Sequence, residues 1–396
     1  MYFGIKSVMI LFLFCLSIAL QSQVKDNLVF KKEFDSTCAL VKTYLSKKDF
    51  SNANKLLIEN ESAVILKLGD LSDSYGELCY LRGKSEMSLN NYKSAQEYFF
   101  KALPIVRNGK DSLSFQAVQC LSLLGQVLLF DGQINKAEPY IVEALNVCKK
   151  TFGDSNIEYG KSLNNLATFY AKTQNFSNAE KYYNESLNFR EKLEGKNSIG
   201  YAVTLRNLGE LFSETDKFDQ ALNALLVSKM TFESLNASNK IEYILTLAVL
   251  AKVYERSGQY DKDEYYLLEA YAVYQKNEAL KKHRMYGNTL NQIGVYYYKI
   301  GSFEKSLFYY NEAINFYKNN FGQESIEYMG VLNNIARIHS DLGRYDLAEE
   351  QFAVVLNFYD KLLGTENIYS LEALQNLILV KLRQGKIDIP DSIFLN

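Results

Sequence analysis

Residue types that break helices or carry chemistry are scarce in this chain of 396 residues. It has three prolines, two histidines and no tryptophan, and so few prolines favour a mostly helical protein because proline interrupts helices. Neither His283 nor His339 belongs to a pattern of a catalytic triad or a metal site. A phosphate-binding glycine loop, a His-Glu-x-x-His pair and a Cys-x-x-Cys pair are also missing. The sequence therefore predicts no enzyme activity, no cofactor and no bound metal.

Charge of one sign is lacking as well. The 44 Lys and Arg residues nearly balance the 46 Asp and Glu residues, which leaves a formal net charge of −2 at pH 7. Nucleic acids and anionic membranes attract strongly basic surfaces. The overall charge therefore favours neither, and we expect no nucleic-acid partner.

The first 23 residues have the composition of a secretory signal peptide. Lys6 precedes an apolar run of 13 residues from Val8 to Leu20, which is too short for a comfortable membrane span and suits the hydrophobic region of such a signal. Cleavage is expected near Ser22 or Gln23. The sequence thus predicts an exported chain, periplasmic or secreted, without a membrane span after cleavage. An uncleaved N-terminal anchor is the alternative.

Four of the five cysteines lie beyond this segment, at Cys38, Cys79, Cys120 and Cys148. An even number in an exported protein is compatible with disulfides. Cys79 and Cys120 fall at nearly equivalent places in adjacent repeats. Packed helix axes lie about 8–10 Å apart, whereas a disulfide needs Cα atoms within about 7 Å. We therefore expect buried thiols.

A repeat of 42 residues, the spacing from Gly83 to Gly125, runs through the chain. One series of mostly small residues, here called the crossing positions, comprises Val41, Gly83, Gly125, Ala167, Gly209, Ala251, Gly294, Ala336 and Ile378. A second series follows in the same register: Ala53, Ala95, Ala137, Ala179, Ala221, Asp263, Ser306 and Ala348. A third series is apolar and mostly aromatic: Phe50, Tyr92, Ile134, Phe176, Phe218, Tyr260, Phe303 and Tyr345. Together they predict repeated helix hairpins.

Small residues are needed where two helices cross closely, because a larger side chain would overpack by about 1–3 kcal/mol. The stretch Leu163-Asn164-Asn165-Leu166-Ala167 has helical spacing, and a polar break separates it from a second helical run that contains Ala179. With joining sequences such as Phe152-Gly153-Asp154-Ser155 and Phe321-Gly322-Gln323-Glu324, these residues closely resemble the tetratricopeptide repeat (TPR). The resemblance is to the long form found in kinesin light chains and many bacterial repeat proteins, and it covers roughly residues 33–385.

This resemblance implies an all-α fold, a right-handed α-solenoid of about eight helix hairpins and a terminal helix. We expect a signal peptide at 1–23, the solenoid at 24–385 and a C-terminal tail at 386–396. Repeats are expected near 33–66, 72–107, 114–151, 156–193, 198–235, 240–279, 283–320 and 325–363, with a final helix at 367–384.

Several details depend on single residues. Asp263 replaces a small residue of the second series, so we expect looser packing of its hairpin. Lys281-Lys282-His283-Arg284 is expected to form a solvated loop. Recurrent tyrosines before the crossing positions are interpreted as packing between repeats: Tyr75, Tyr159, Tyr201, Tyr243, Tyr286 and Tyr328. Side-chain caps for the second helices are expected at Ser51, Asn135, Ser177, Asp219, Asp261 and Asp346.

A row of amides is the main candidate for a binding site. Two residues before the crossing positions stand Asn165, Asn207, Gln292, Asn334 and Asn376, and one residue earlier stand Asn164, Asn291, Asn333 and Gln375. Val249 interrupts the row. In the resembled family this face of the first helices lines a groove, and each amide can both donate to and accept from a peptide backbone. The alternative is that amides are merely tolerated on a solvated helix face.

These features predict a non-catalytic scaffold that binds a protein or extended peptide in its groove. The last helix is apolar nearly all round, which suggests a competing function in self-assembly, including a homodimer, unless the tail covers it. A third possibility is an accessory subunit of a separately encoded enzyme, such as a caspase-like protease. The sequence does not name the ligand.

Overall fold

The computed structural model describes residues 2–47, 49–89, 91–108, 115–153 and 155–386, and the side chains from residue 21 onward. Within these ranges the secondary structure is helical, with no strand, which confirms the predicted fold class. The chain divides into two compact units, Met1–Lys196 and Asn197–Asn396.

The first unit consists of four helix hairpins over its described residues. Its first helices are α1, α3, α5 and α7, and its second helices are α2, α4, α6 and α8. Their bounds are α1 Tyr2–Ser46, α2 Phe50–Leu68, α3 Asp73–Ser88, α4 Tyr92–Asn108, α5 Phe115–Phe130, α6 Ile134–Phe152, α7 Ile157–Lys172 and α8 Phe176–Glu194.

The second unit has four further hairpins, one short helix and one final first helix over its described residues. The hairpins are α9–α10, α11–α12, α14–α15 and α16–α17. The bounds are α9 Ile199–Glu214, α10 Phe218–Ser234, α11 Ile241–Arg256, α12 Tyr260–Gln275, α13 Glu278–Lys281, α14 Arg284–Lys299, α15 Phe303–Phe321, α16 Ile326–Asp341, α17 Tyr345–Leu363 and α18 Ile368–Arg383.

The crossing positions lie where the two helices of a hairpin touch. A Cβ atom added to Gly83 would lie 2.7 Å from the ring of Phe99, and one on Gly294 would lie 2.5 Å from the ring of Tyr310. In both hairpins the partner side chain comes 16 residues after the glycine. Gly125 meets Ile141 and Gly209 meets Leu225 in the same way. The small residues therefore allow a close approach that a larger side chain would prevent.

A second close contact was not predicted. Glycines seven residues, about two turns, before the crossing position also face the second helix: a Cβ on Gly76 would lie 2.7 Å from Ile105, and one on Gly160 would lie 2.9 Å from Phe189. A Cβ on Gly287 would lie 2.5 Å from Tyr317. These glycines share one place in the repeat, but other repeats have larger residues there, such as Val118, so the place does not form a series of small residues in the sequence.

Aromatic pairs close three of the hairpins. Tyr254 stacks on Tyr266 with ring centroids 5.4 Å apart, and Tyr297 stacks on Tyr309 at 5.6 Å. Tyr170 and Tyr182 form the equivalent stack in the first unit. In each pair the first tyrosine lies three residues after the crossing position, and the second lies one residue before the residue that covers that position. Offset stacking of this kind adds about 0.5–1.5 kcal/mol beyond the area that the rings bury.

The predicted caps of the second helices are wrong. Each predicted residue lies inside the first turn, because the aromatic series begins these helices and the capping place falls one residue before it. Asp49 and Asn175 occupy that place and accept from the backbone N–H of Asn52 and Asn178. Side-chain caps are more regular on the first helices, at Ser72, Asn156, Ser198, His283, Ser325 and Asn367.

The segment at residues 281–284 is not the expected open loop. Lys281 ends the short helix α13, and Arg284 begins α14. Between them His283 caps α14, with its Nδ1 atom accepting from the backbone N–H of Met285 at 3.2 Å. The step from Ala251 to Gly294 is 43 residues, one more than the repeat, and the short helix α13 lies in this longer step.

The four cysteines beyond the N-terminal segment are buried and free. Burial raises the pKa of the Cys38 and Cys120 thiols to about 12, and that of Cys79 and Cys148 to about 11. At neutral pH these side chains are protonated and pack as small apolar groups.

The ends of the chain lie partly outside this description. The backbone is helical from Tyr2 through the proposed cleavage site to Ser46, and the signal peptide stays a prediction. Across the described part of the chain, no helix has both the length and the apolar character that a membrane crossing requires. Of the predicted tail, only Lys386 is described.

A candidate binding face on the first helices

The predicted amides that stand two residues before the crossing positions point away from the second helices. Successive residues of a helix are about 100° apart, so a side chain two residues before a crossing position lies about 200° round the helix from it. We call this side the first-helix face. It carries Asn165 on α7, Asn207 on α9, Gln292 on α14, Asn334 on α16 and Asn376 on α18. Asn164, Asn291 and Asn333 stand one residue earlier, about 300° round the helix, and border this face; Asn333 is buried.

Two pairs of these amides link neighbouring first helices in the second unit. The Nδ2 atom of Asn334 donates to Oδ1 of Asn291 at 3.0 Å, and Nδ2 of Asn376 donates to Oδ1 of Asn333 at 3.3 Å. Both bonds join residues 43 positions apart. The row therefore holds adjacent hairpins in register, a role that the sequence analysis did not foresee.

The remaining amides have different surroundings. Arg206 donates from Nη2 to the Asn207 side-chain oxygen at 2.9 Å. Asn164 and Asn165 are half-buried, whereas Gln292 is exposed. Several amides of the row thus already make hydrogen bonds within the protein, and Gln292 is the most accessible amide of the row in the second unit.

Charged side chains make the same kind of link. Lys299 on α14 pairs with Glu255 on α11, and Arg256 on α11 pairs with Asp216 just after α9 at 2.7 Å. Arg383 on α18 bonds to Asp341 on α16 at 3.1 Å. Glu255 and Arg256 on α11 are therefore both paired with a neighbouring repeat.

The first unit has its own polar links, which sequence reasoning missed. Glu77 on α3 pairs with Lys42 on α1 at 2.8 Å and accepts from Gln116 on α5. Tyr80 on α3 donates its hydroxyl to Gln119 on α5 at 2.7 Å. The sequence feature that could have revealed them is the separation of 39 residues between the partners on α3 and α5, because residues so separated fall at neighbouring places in consecutive repeats.

Sequence profiles of known families identify the repeat. Profiles described as tetratricopeptide repeat match residues 76–104, 118–158, 158–228, 243–319 and 329–369. Together they cover more than half of the chain. The chain belongs to the tetratricopeptide-repeat family. No curated protein sequence shows a significant match to this TPR chain.

Solved structures give the same fold at low sequence identity. Aspartyl phosphate phosphatase F from Bacillus subtilis is 16% identical, with a TM-score of 0.52 over 80% of this chain and 76% of that one. A Rap protein complexed with Competence and Sporulation Factor is 13% identical, with a TM-score of 0.50 over 90% of this chain and 99% of that one. BtubC (BKLC) from P. vanneervenii is 18% identical, with a TM-score of 0.46 over 59% of this chain and 91% of that one.

Apolar side chains interrupt the amides in the middle of the second unit of the TPR array. On α11 the row passes through Ala248 and Val249, with Leu245 one turn earlier, and all three are half-buried. Flanking first helices contribute Asn207 on one side and Gln292 on the other. The face therefore combines a central apolar strip with polar margins.

The histidines of the TPR array have structural partners. His339 is buried on α16, and its Nδ1 atom lies 2.8 Å from Oε1 of Gln351 on α17. His283 caps α14 as described above. Over the described residues, no group of three or more His, Cys, Asp or Glu side chains is arranged to hold a metal ion.

Proposed function

We propose that this TPR protein is a non-catalytic scaffold that binds an extended protein segment across the first-helix face of its second unit. The observation that carries the proposal is the row of amides on α14, α16 and α18, which is continuous from one hairpin to the next. Repeat arrays are known for extended binding surfaces of this kind.

The amide pairs keep hydrogen-bonding capacity for a ligand. An asparagine amide has two N–H donors and an oxygen with two lone pairs, and the bond from Asn334 to Asn291 uses one donor and one lone pair. Because each bond also fixes the orientation of the two side chains, the groups left over are presented with little loss of side-chain entropy on binding. Such pre-ordered amides suit a peptide backbone, which offers N–H and C=O groups in alternation.

The apolar strip on α11 indicates where a ligand side chain would pack. Leu245 and Val249 lie between the polar margins, and most charged groups beside them are paired with a neighbouring hairpin. We therefore propose a ligand segment with an apolar residue flanked by uncharged polar residues. A charged ligand would need to displace the ion pair of Lys299 with Glu255.

The comparison with solved structures is compatible with this proposal. The Rap protein named above, which has the same fold, is complexed with Competence and Sporulation Factor. That likeness supports a binding role in general and leaves the ligand of this chain to be found.

Affinity capture tests the proposal. The mature chain, immobilised and exposed to extracellular and envelope proteins of its source, should retain a ligand that mass spectrometry identifies. We expect Gln292→Ala combined with Val249→Asp to abolish that retention. Asn311→Ala is the matched control, because Asn311 is an exposed amide on the second helix α15. Retention that survives both changes on α11 and α14 would refute binding at this face.

Self-assembly is the competing function, and one observation favours it. The final helix α18 exposes Ile368, Leu371 and Leu379 among other apolar side chains. A self-assembling protein would form dimers or larger species in light scattering without any other partner. A peptide-binding scaffold would be monomeric until its ligand is added.

A further inference from the structure

One buried carboxyl of the second unit lacks a partner. Asp263 lies on α12, where it is 4% exposed, at a place that alanine or serine holds in the other second helices. Among the described residues, its carboxyl group makes no hydrogen bond and no ion pair. Buried polar groups normally have a partner, because an unpaired one costs free energy. This side chain therefore needs either a proton to donate or a positive charge to face.

A hydrogen-bond acceptor lies opposite the carboxyl. In the next hairpin Ser306 holds the same place, and its hydroxyl donates to the carbonyl of the crossing residue Gly294 at 2.7 Å. The crossing residue opposite Asp263 is Ala251, which is 1% exposed. A protonated carboxyl has an O–H group for that carbonyl, whereas an ionised carboxylate can only accept. The closed hairpin α11–α12 therefore suits the protonated form.

Charged groups surround Asp263 on three helices. The titratable groups near it are Glu255 on α11, Asp261 and Glu264 on α12, and Tyr296 and Lys299 on α14. Burial raises the pKa of Asp263 above its usual range, Glu255 and Glu264 add to the rise, and Lys299 opposes it. Lys299 is the cation among these groups, so it is the group that an ionised Asp263 would attract.

Lys299 is bonded elsewhere in the structure. It pairs with Glu255, and this ion pair links α14 to α11. The side chains are 47% and 29% exposed, and an ion pair so open to water contributes little. A carboxylate in the protein interior attracts a nearby ammonium group more strongly, because water and salt screen it less. An ionised Asp263 can therefore compete for Lys299.

We propose that Asp263 is a proton-controlled switch of the link between α11 and α14. When protonated, it donates to the carbonyl of Ala251 and leaves Lys299 on Glu255. When it releases its proton to the solvent, the carboxylate takes Lys299 from Glu255. The ion pair between the two hairpins is thus lost as pH rises.

The switch acts beside the proposed ligand site. Leu245 and Val249 of the apolar strip lie on the same helix as Glu255. At higher pH Glu255 loses its partner and adds a negative charge beside the strip. Resting on the proposed function, this step predicts that a ligand with a basic residue next to its apolar one binds more tightly above neutral pH.

A double-mutant cycle measures the link without any ligand. The cycle combines Lys299→Met with Glu255→Gln in the full chain, and urea unfolding at pH 5.5 and pH 8.5 gives their coupling free energy. We expect a coupling at pH 5.5 that is largely lost at pH 8.5. In an Asp263→Asn background it should be the same at both pH values, because asparagine can donate but does not ionise.

Two further variants support this measurement. The matched control is the ion pair of Arg383 on α18 with Asp341 on α16, at 3.1 Å. Ala348 holds the place of Asp263 in that hairpin, so the coupling between Arg383→Met and Asp341→Asn should not change with pH. Asp263→Ser repeats the test in a second background, because serine occupies the same place in the next hairpin.

Two results would overturn the proposal. A parent coupling that is equal at pH 5.5 and pH 8.5 would show that Lys299 stays on Glu255. A coupling that falls with pH in the Asp263→Asn and Asp263→Ser backgrounds as well would assign the effect to another group. Because the cycle needs no ligand, neither result bears on the proposed binding face, and a failed capture experiment would not bear on the switch.

Discussion

Gly294 and Gly330 both lie inside first helices of the second unit, but only Gly294 touches its second helix. An added Cβ would be 2.5 Å from the ring of Tyr310 at Gly294 and 3.8 Å from the nearest atom, the Tyr359 hydroxyl, at Gly330. The sequence distinguished them, because Gly294 belongs to the 42-residue series and Gly330 does not.

Substituting alanine at the two glycines should therefore have opposite effects. Gly330→Ala should stabilise the protein by about 0.5–1 kcal/mol, since alanine is the better helix former and the site has room. Gly294→Ala must displace the Tyr310 ring, and we expect about 1–3 kcal/mol of destabilisation. Urea unfolding of the two variants measures both values, and equal shifts would contradict the crossing-position argument.

Asp263 is a buried carboxyl at a place where other hairpins have alanine or serine. Burial raises its pKa to about 7, Glu255 on α11 and Glu264 on its own helix add to the rise, and Lys299 on α14 opposes it. Ser306, the equivalent residue of the next hairpin, donates its hydroxyl to the carbonyl of Gly294 at 2.7 Å. Asp263 stands at the same place relative to Ala251. In its protonated form its carboxyl O–H group could donate to the Ala251 carbonyl in the same way.

This carboxyl should make stability depend on pH. Its folded-state pKa lies above the unfolded value of 3.8, so the folded form holds the proton more tightly and loses stability as pH rises from about 4 to 7. Asp263→Ser should remove that loss and raise the free energy of unfolding at pH 8 by more than about 1 kcal/mol. Denaturation at pH 5 and pH 8 tests this, with Ser306→Ala as the pH-independent control.

At the level of the helix, the packed faces were predictable and the capping residues of the second helices were not. Small residues are required where the two helices of a hairpin touch, and they recur at a fixed spacing. Gly83 and Gly125 therefore predict the hairpins. A cap depends on the turn that precedes it. That turn places Phe176 at the first helical residue, which moves the cap from Ser177 to Asn175.

Cap substitutions should separate the true caps from the predicted ones. Ser325 accepts from the backbone N–H of Tyr328 at 3.4 Å and donates to the carbonyl of Gly322 at 3.1 Å. We expect Ser325→Ala to cost about 0.5–2 kcal/mol. Ser177→Ala, one residue inside α8, should stay within about 0.5 kcal/mol of the parent. Thermal unfolding of each variant gives the comparison.

The first-helix face was only partly predictable from the sequence. The phase of Asn291, Asn334 and Asn376 on their helices could be read from the repeat, since helical geometry fixes which side a residue faces. The bonds between neighbouring hairpins could not, because they depend on how far apart consecutive first helices lie. The positions of their partners, 43 residues away, are recognisable only once the packing is known.

For the whole molecule, the N-terminal segment bears on where the protein acts. We propose that residues 1–23 are removed on export. Expression of the full chain in a bacterial host should give a secreted or periplasmic product whose mass begins near residue 22 to 24. Leu11→Arg with Leu13→Arg, which breaks the apolar run, should leave the chain unprocessed inside the cell. A parent chain that keeps Met1 in the membrane fraction would support an anchor instead.

The equal separation of the two amide links has a consequence for how such a chain can change length. Because Asn333 bonds to Asn376 as Asn291 bonds to Asn334, excising residues 292–333, one full period, would place Asn291 directly before Asn334 and opposite Asn376. The amide–amide hydrogen bond that Asn333 makes with Asn376 would then be replaced by one between Asn291 and Asn376. Gain or loss of a whole hairpin by gene duplication or deletion should therefore be tolerated better than a change of a few residues within one.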